Sequence, residues 1–192
     1  IKFAKSILFE SASWNFPRVE TLLIESTYGA KEDIQASRQE VESSFLKSVN
    51  SILKDGGKVL IPIPAVGRAQ EIMMVIDQYM KSGEMVEAPV FYEGMIAEAS
   101  AIHEAYPEYL ARELKQRILE TDDNPFDSEY FTNVEHPDAR EEPLREGTPC
   151  IIIATSGMLE GGPVLEYFKN IAPDKKNKIL FVSYQVNGTL GR

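Results

Sequence analysis

Three apolar runs of strand length punctuate this chain, and each breaks abruptly into a turn of small polar residues or glycine. Thr21-Leu22-Leu23-Ile24 ends in Glu25-Ser26-Thr27-Tyr28-Gly29, and Val59-Leu60-Ile61-Pro62-Ile63-Pro64 ends in Ala65-Val66-Gly67-Arg68. Ile151-Ile152-Ile153-Ala154 ends in Thr155-Ser156-Gly157. Unbroken rather than alternating apolarity is what a strand covered on both faces requires. Helix-like sequence follows each turn, so the expected fold is α/β, an open and mostly parallel sheet flanked by helices on both faces. Ligands of such sheets bind outside the carboxyl ends of the strands. The three turns are therefore expected to share one edge.

The helix after the first run is the most sharply written element. Ser37-Arg38-Gln39-Glu40 has the form of a capping box, Val41, Phe45, Leu46, Val49, Ile52 and Leu53 fall on one face, and Gly56-Gly57 supplies the stop. With strands at 22–25 and 58–64 on either side it predicts a βαβ unit with a right-handed crossover. Pro62 and Pro64 lack donors on the same side of their strand, which an interior strand does not tolerate, so that ladder is expected to end near Ile61. Ile72, Met73, Val75, Ile76, Tyr79 and Met80 continue as a helix, its methionines read as core.

Further along, Pro89 to Glu93 reads as a strand, Met95 to Tyr106 as a helix broken at Pro107, and the sequence through Leu119 as another helix. A final helix opens at Pro163, which suits a first turn, and a last strand spans Lys178 to Tyr184. Ile1 to Glu10 is compatible with a strand and a reversal, and Trp14 and Phe16 are expected to pack against the body.

Charge is concentrated rather than spread. Of a formal net charge of -10, the stretch Glu120 to Glu146 carries -8, with ten acids, Asp122 among them, against Arg140 and Arg145. Asp122 to Gly147 therefore reads as a solvated surface excursion with little regular structure. No basic footprint advertises nucleic acid, yet the confinement of the acids leaves that partner open. Cys150 is the single cysteine, so no internal disulfide forms and a reducing, cytoplasmic setting is expected. Its place before Ile151 suits a small buried strand residue. No apolar run is long enough to span a membrane, and the chain, which begins at Ile1, reads as a piece of something longer. His103 and His136 stand apart from one another and from any second ligand at metal spacing.

Chemistry is expected at the three turns. Together they offer the Glu25 carboxylate, hydroxyls, backbone amides and the Arg68 guanidinium, a set that suits a phosphate-bearing ligand. Glu25 has the plainer alternative of merely ending a strand, and Arg68 that of pairing with a nearby acid. None of the turns is a Walker loop or a Gly-x-Gly-x-x-Gly turn, so residue pattern alone stops at an anion or nucleotide site.

Ile24-Glu25-Ser26-Thr27-Tyr28-Gly29, Ile61 to Glu71 and Ala154-Thr155-Ser156-Gly157-Met158-Leu159 with Gly161-Gly162-Pro163 jointly resemble the β-CASP nucleases of the metallo-β-lactamase superfamily. The resemblance is strongest to archaeal homologues of the cleavage and polyadenylation specificity factor endonuclease. Gly94-Met95-Ile96, Ala105 to Leu110 and Asn124-Pro125-Phe126 add to it, in the family's order. The resemblance implies that residues 1–192 form a single β-CASP-type domain, with room for short metallo-β-lactamase strands at either end. Such a domain caps a two-zinc centre and leaves a cleft for single-stranded RNA, whose phosphodiester bonds the parent enzyme hydrolyses in RNA processing or decay. It further implies that Glu25 matches the family's acidic motif and orients a histidine absent from this chain. Thr27, Tyr28, Gly67, Arg68, Ser156 and Gly157 become the candidates for RNA phosphate contacts.

The family's His-x-His-x-Asp-His motif and its later histidines are missing from these residues. No metal is expected on them, whereas two zinc ions are implied in the parent. Partners implied are RNA, the protein's own metallo-β-lactamase domain and, beyond these, a homodimer or RNA-processing complex, with no membrane. The alternative reading is an autonomous nucleotide-binding or protein-interaction module. Residues 1–192 prepared alone are expected to bind no zinc and cut no RNA. Chelator-sensitive cleavage by that preparation would show the expectation wrong.

Overall fold

The computed structural model describes residues 2–4, 6–121 and 123–192. Ile1 and Asp122, which the sequence reading assigns to a first strand and to the acidic run, lie outside the described residues. Five parallel strands form one sheet, in the order β3-β2-β4-β1-β5. They are β1 (Val59–Pro62), β2 (Val90–Glu93), β3 (Phe131–Asn133), β4 (Ile151–Ala154) and β5 (Lys178–Ile179). The expected mostly parallel sheet is thus wholly parallel among the described residues.

At its centre, β4 pairs with β1 from Val59↔Ile151 to Pro62↔Ala154 and with β2 from Val90↔Ile151 to Glu93↔Ala154. All four residues of β1 and of β4 are buried, which explains why both runs are apolar without alternation. Side chains of opposite parity feed two cores. Val59, Ile61, Ile151 and Ile153 pack with Val49 and Leu53 of α1 (Arg38–Lys54) and with Met73, Ile76 and Met80 of α2 (Arg68–Lys81). Leu60, Phe91, Ile152 and Ala154 meet Val164, Tyr167 and Ile171 of the last helix (Val164–Ile171) on the other face.

The capping box of α1 forms as written. Glu40 N–H donates to Ser37 Oγ at 3.3 Å and Ser37 N–H to Glu40 Oε2 at 2.9 Å. Val49 and Leu53 are buried, while Val41, on the same predicted face, is 55% exposed. Three further helices follow β2, namely α3 (Ile96–Ala105), the one-turn 3-10 helix Pro107–Tyr109 and α4 (Arg112–Glu120).

The ladder ends near Ile61, as the prolines of β1 predict: Pro62 forms the last pair, with Ala154, and Ile63 N–H donates the final bond to Ala154 O at 3.0 Å. Odd-numbered residues of β1 direct their amides to β4, while Lys58 and Leu60 accept from Lys178 and Leu180 on the β5 side. Pro62 and Pro64 share the parity of Leu60, so their missing donors face the flank where β5 has already run out. The predicted strand Lys178 to Tyr184 is correspondingly short, because β1 presents no donor to it after Leu60.

The N-terminal third departs furthest from expectation. No strand forms at 22–25; Leu22, Leu23 and Ile24 are 60%, 93% and 52% exposed. The expected βαβ unit before β1 is therefore absent, and the first such unit is β1-α2-β2. Trp14 and Phe16 are exposed rather than packed. An apolar run marks a segment that profits from burial, and among the described residues no helix or strand covers 22–24. The described residues among 2–10 form no strand either, but Leu8 is buried against Met74 of α2 and against Leu110, Leu114 and Phe126.

The acidic stretch is also more structured than read. It contains the edge strand β3, a 3-10 helix (Pro137–Arg140) and the short α5 (Glu141–Leu144). The last helix is accordingly α6. Asp123 bridges Lys81 Nζ at 2.9 Å and Arg117 Nη2 at 2.7 Å, and both cations also meet the fully buried Asp77. Asp123 thereby ties α2 to α4, while the other described acids of the stretch are exposed, as a solvated excursion requires. Cys150 is fully buried, and burial pushes its thiol up to about 11, as a packed strand residue requires.

Ile153→Ala is expected to lower unfolding stability by about 3 kcal/mol through the cavity it leaves in a closed sheet centre. Ser37→Ala should cost only about 1 kcal/mol, the worth of an exposed cap. Urea unfolding of the two variants checks the ranking.

Candidate nucleic-acid interface

Neighbouring strands β1 and β4 send their chains to opposite faces, β1 into α2 and β4 into α6. A crevice opens where such paths diverge, outside the carboxyl ends of the two strands. Two of the three predicted turns, 63–68 and 155–163, meet there.

Gly157 shows how closely. A Cβ at this position would stand 2.7 Å from Pro64 Cδ and 2.9 Å from Pro64 N, both parts of a rigid turn. The approach of Pro64 is what requires glycine at 157. The peptide between Thr155 and Ser156 is cis. Ser156 N–H donates to Gly161 O at 3.1 Å, Glu160 N–H to Ser156 Oγ at 3.1 Å, and Val164 N–H to Thr155 O at 2.9 Å. The amides of Gly157 and Met158 have no acceptor among the described residues. Ser156 is half-buried and Gly157 buried, and Gln185 Nε2 donates to Gly157 O at 2.9 Å. Residues 183–192 thus lie against this turn.

At the other turn, Gly67 (φ +80°) precedes α2 and donates its amide to Gln70 Oε1 at 2.7 Å. Gln70 is fully buried and in turn donates to Ala65 O and Ser100 Oγ, both at 3.1 Å. The Gly67 amide is therefore already used in capping. Arg68 is 44% exposed at the side chain and pairs with Glu71 Oε2 at 2.8 Å, the plainer of the two sequence readings. Glu71 also accepts from Ser6 Oγ at 2.5 Å and from Lys2 Nζ at 3.1 Å. Gly67, Arg68 and Glu71 line a pocket of about 220 Å³ with Lys2, Ser6, Leu8, Phe9 and Glu10. Glu10 Oε1 accepts the first amide of α4 at 2.8 Å.

The third turn does not sit at a strand end. Glu25 is exposed and its Oε2 accepts the Thr27 amide at 2.9 Å, while Gly29 N–H donates to Ser26 O at 3.0 Å, so local hydrogen bonds shape the turn 25–29. Tyr28 alone reaches the edge, with its ring 5.7 Å from that of Tyr184 in an edge-on contact. The structure brings Gly67, Arg68, Ser156 and Gly157 to one edge and leaves Glu25 and Thr27 apart from it.

Sequence reasoning missed Glu93. It ends β2, is buried, and accepts from Arg140 Nε at 2.9 Å and Nη2 at 2.6 Å and from Tyr167 O–H at 2.6 Å. Burial and the adjacent carboxylate push the Tyr167 phenol well up, and the hydrogen bonds from Arg140 hold that guanidinium firmly charged. An acid closing an apolar strand at Val90-Phe91-Tyr92-Glu93 was the available signal, the same one that had singled out Glu25. Among the described residues no group of three His, Cys, Asp or Glu side chains is arranged to hold a metal ion. His103 is buried with its ring against Phe9 and Phe126. No helix of the described residues is long and apolar enough to cross a membrane.

The family model described as the Beta-Casp domain matches residues 69–192. The transcription termination factor FttA of Cenarchaeum symbiosum is 86% identical over 192 residues, all of this chain and 30% of that protein. The factors of the same name from Thermococcus kodakarensis and Methanocaldococcus jannaschii are each 53% identical, over 191 and 192 residues. The chain spans 29% and 30% of those two proteins, so less than a third of each relative's length is matched.

Burial alone would raise the Glu71 carboxyl, but the hydrogen bond from Ser6 and the charges of Arg68 and Lys2 hold it below the ordinary glutamate value. A carboxylate with a depressed folded pKa stabilises fully above its unfolded pKa, about 4.3, and loses that contribution as pH falls through the folded value. The attachment of residues 2–10 to α2 is therefore expected to loosen below about pH 4. Faster amide exchange at Ala111, which donates to Leu8 O at 2.9 Å, would report it. Glu71→Gln should loosen the segment at neutral pH and remove the dependence.

Proposed function

We propose, for a chain that belongs to the Beta-Casp domain family, that these residues are the RNA-clamping cap of a larger metal-dependent ribonuclease. The observation that carries this reading is the meeting of the 155–163 turn with the 63–68 turn at the divergence of β1 and β4, where an open α/β sheet binds its ligand. A half-buried Ser156 hydroxyl beside amides of Gly157 and Met158 without internal acceptors suits a phosphate oxygen of a single strand. Arg68 contributes positive charge at the neighbouring turn, although Glu71 shares it. Tyr28 comes to this edge by way of Tyr184, and Thr27 is carried beside it in sequence.

Hydrolysis in this reading belongs to the whole protein. Two zinc ions, held by ligands outside these residues, would supply the nucleophile and charge stabilisation of a phosphodiester hydrolase. The contribution of this chain is to bind and orient the strand. Glu25 retains its proposed part in orienting a histidine of the parent, and the exposed apolar run before it is proposed to be covered by the parent's metallo-β-lactamase half. Because the relatives are transcription termination factors, the RNA proposed is a single-stranded transcript, met in the cytoplasm.

The full-length protein tests this. It is expected to hold zinc and to cut labelled single-stranded RNA, with Ser156→Ala raising KM about tenfold at unchanged kcat. Glu25→Gln should lower kcat with zinc content retained. Unchanged KM in the first variant would remove the clamp, and loss of zinc in the second would show Glu25 to be tied to the metal itself.

A further inference from the structure

Glu93 is a carboxylate with almost no surface, and its two oxygens receive a guanidinium fork and a phenol. Burying a charge this completely is costly, and replacing such a group by apolar side chains is often neutral or stabilising. A stability role alone therefore does not explain it. Its position does more, because its backbone bond to Thr155 and its bond from Tyr167 both lead to the Ser156 turn.

The first link is the backbone. Thr155 N–H donates to Glu93 O at 3.4 Å, directly beyond the last β2–β4 register pair, Glu93↔Ala154. The second is Gly94, whose φ of +95° carries the chain so near that a Cβ would lie 2.1 Å from Thr155 Oγ1. The third is α6. Val164 at its start donates to Thr155 O at 2.9 Å, and Tyr167, one turn on, donates to Glu93 at 2.6 Å. Two bonds from the same turn of helix thus fix the β4 end and the β2 end together. Arg140, from the 3-10 helix of the acidic stretch, closes the set from outside.

Resting on the RNA-clamp reading, we propose that Glu93 is a positioning residue for the Ser156 turn: RNA affinity at that turn depends on a carboxylate that does not touch the RNA. Arg140 and Tyr167 hold Glu93, Glu93 and Gly94 hold Thr155, and Thr155 sets where Ser156 and the following amides face. Glutamine at 93 would place an amide donor against Arg140 or Tyr167, unseating one of them while keeping the shape of the side chain.

The test is a double-mutant cycle in the full-length protein, read as the Kd for a labelled single-stranded oligouridylate. Glu93→Gln and Ser156→Ala are each expected to weaken binding about tenfold, and the double variant also only about tenfold, because the first acts through the second. Zinc content is expected to be unchanged in all three. Tyr167→Phe removes a single hydrogen bond without disturbing the fold, and should give about a threefold loss that likewise vanishes on top of Ser156→Ala. It serves as the probe if Glu93→Gln does not fold. A double variant about a hundredfold weaker, the product of independent effects, overturns the inference while leaving the clamp intact, as does Tyr167→Phe binding as tightly as the unmodified protein. Ser156→Ala binding as tightly as the unmodified protein overturns the clamp and this inference with it.

Discussion

The parallel pairing of β1 with β4 is the constraint on which the rest of the molecule depends. Eight residues, all buried, stand in register from Val59↔Ile151 to Pro62↔Ala154 and send alternate side chains into two separate cores. Neither core would close without the pair, since α1 and α2 cover one parity and α6 the other. Because the two chains leave in opposite directions, the same pairing that fills the interior also opens the crevice at its carboxyl end. Stability and the candidate site follow from a single ladder.

Packing within that crevice is set by backbone meeting backbone. Gly157 lies against Pro64, and Gly162 (φ +77°) would place a Cβ 2.7 Å from Thr155 O. No side chain fits at either place, so the turn after β4 is defined by what it excludes. Around this close-packed turn lies a charged frame, Glu93 with Arg140 and Tyr167, drawn from three elements far apart in sequence. Hydrophobic contact brings the strands together, and directional bonds then decide how their ends are presented.

The sequence made much of this legible, for identifiable reasons. Residues 37–57 carry cap, face and stop within one segment, and α1 forms there with its capping box intact. Val59 to Ile63 and Ile151 to Ala154 are apolar throughout because both faces of the sheet are covered, and they appear as interior strands. The run at 22–24 carries the same signature and is exposed, since apolarity records that a segment is buried somewhere, not that its cover lies in the same 192 residues. The acidic stretch is legible in part: its described acids other than Asp123 are exposed as composition suggests, yet it also holds β3 and Arg140, whose buried partner Glu93 lies 47 residues away. Of the candidate site, Gly67, Arg68, Ser156 and Gly157 came together as the strand ends predicted. Glu93 was hidden because its partners, Arg140 and Tyr167, sit 47 and 74 residues downstream, a separation that no local pattern reveals.

Pro62 and Pro64 have a consequence for the molecule in company. An open flank of a sheet is where a second chain can add itself as an extra strand, since free donors and acceptors there template pairing. Beyond Leu60 the ladder between β1 and β5 has ended, although Leu180 and Val182 stay packed against the core, and along this side the chain offers no amide at either proline. A strand displacing that segment would find acceptors with no donors between them, and so no ladder to extend. The strand pair can therefore end early on this side without leaving a template for self-association.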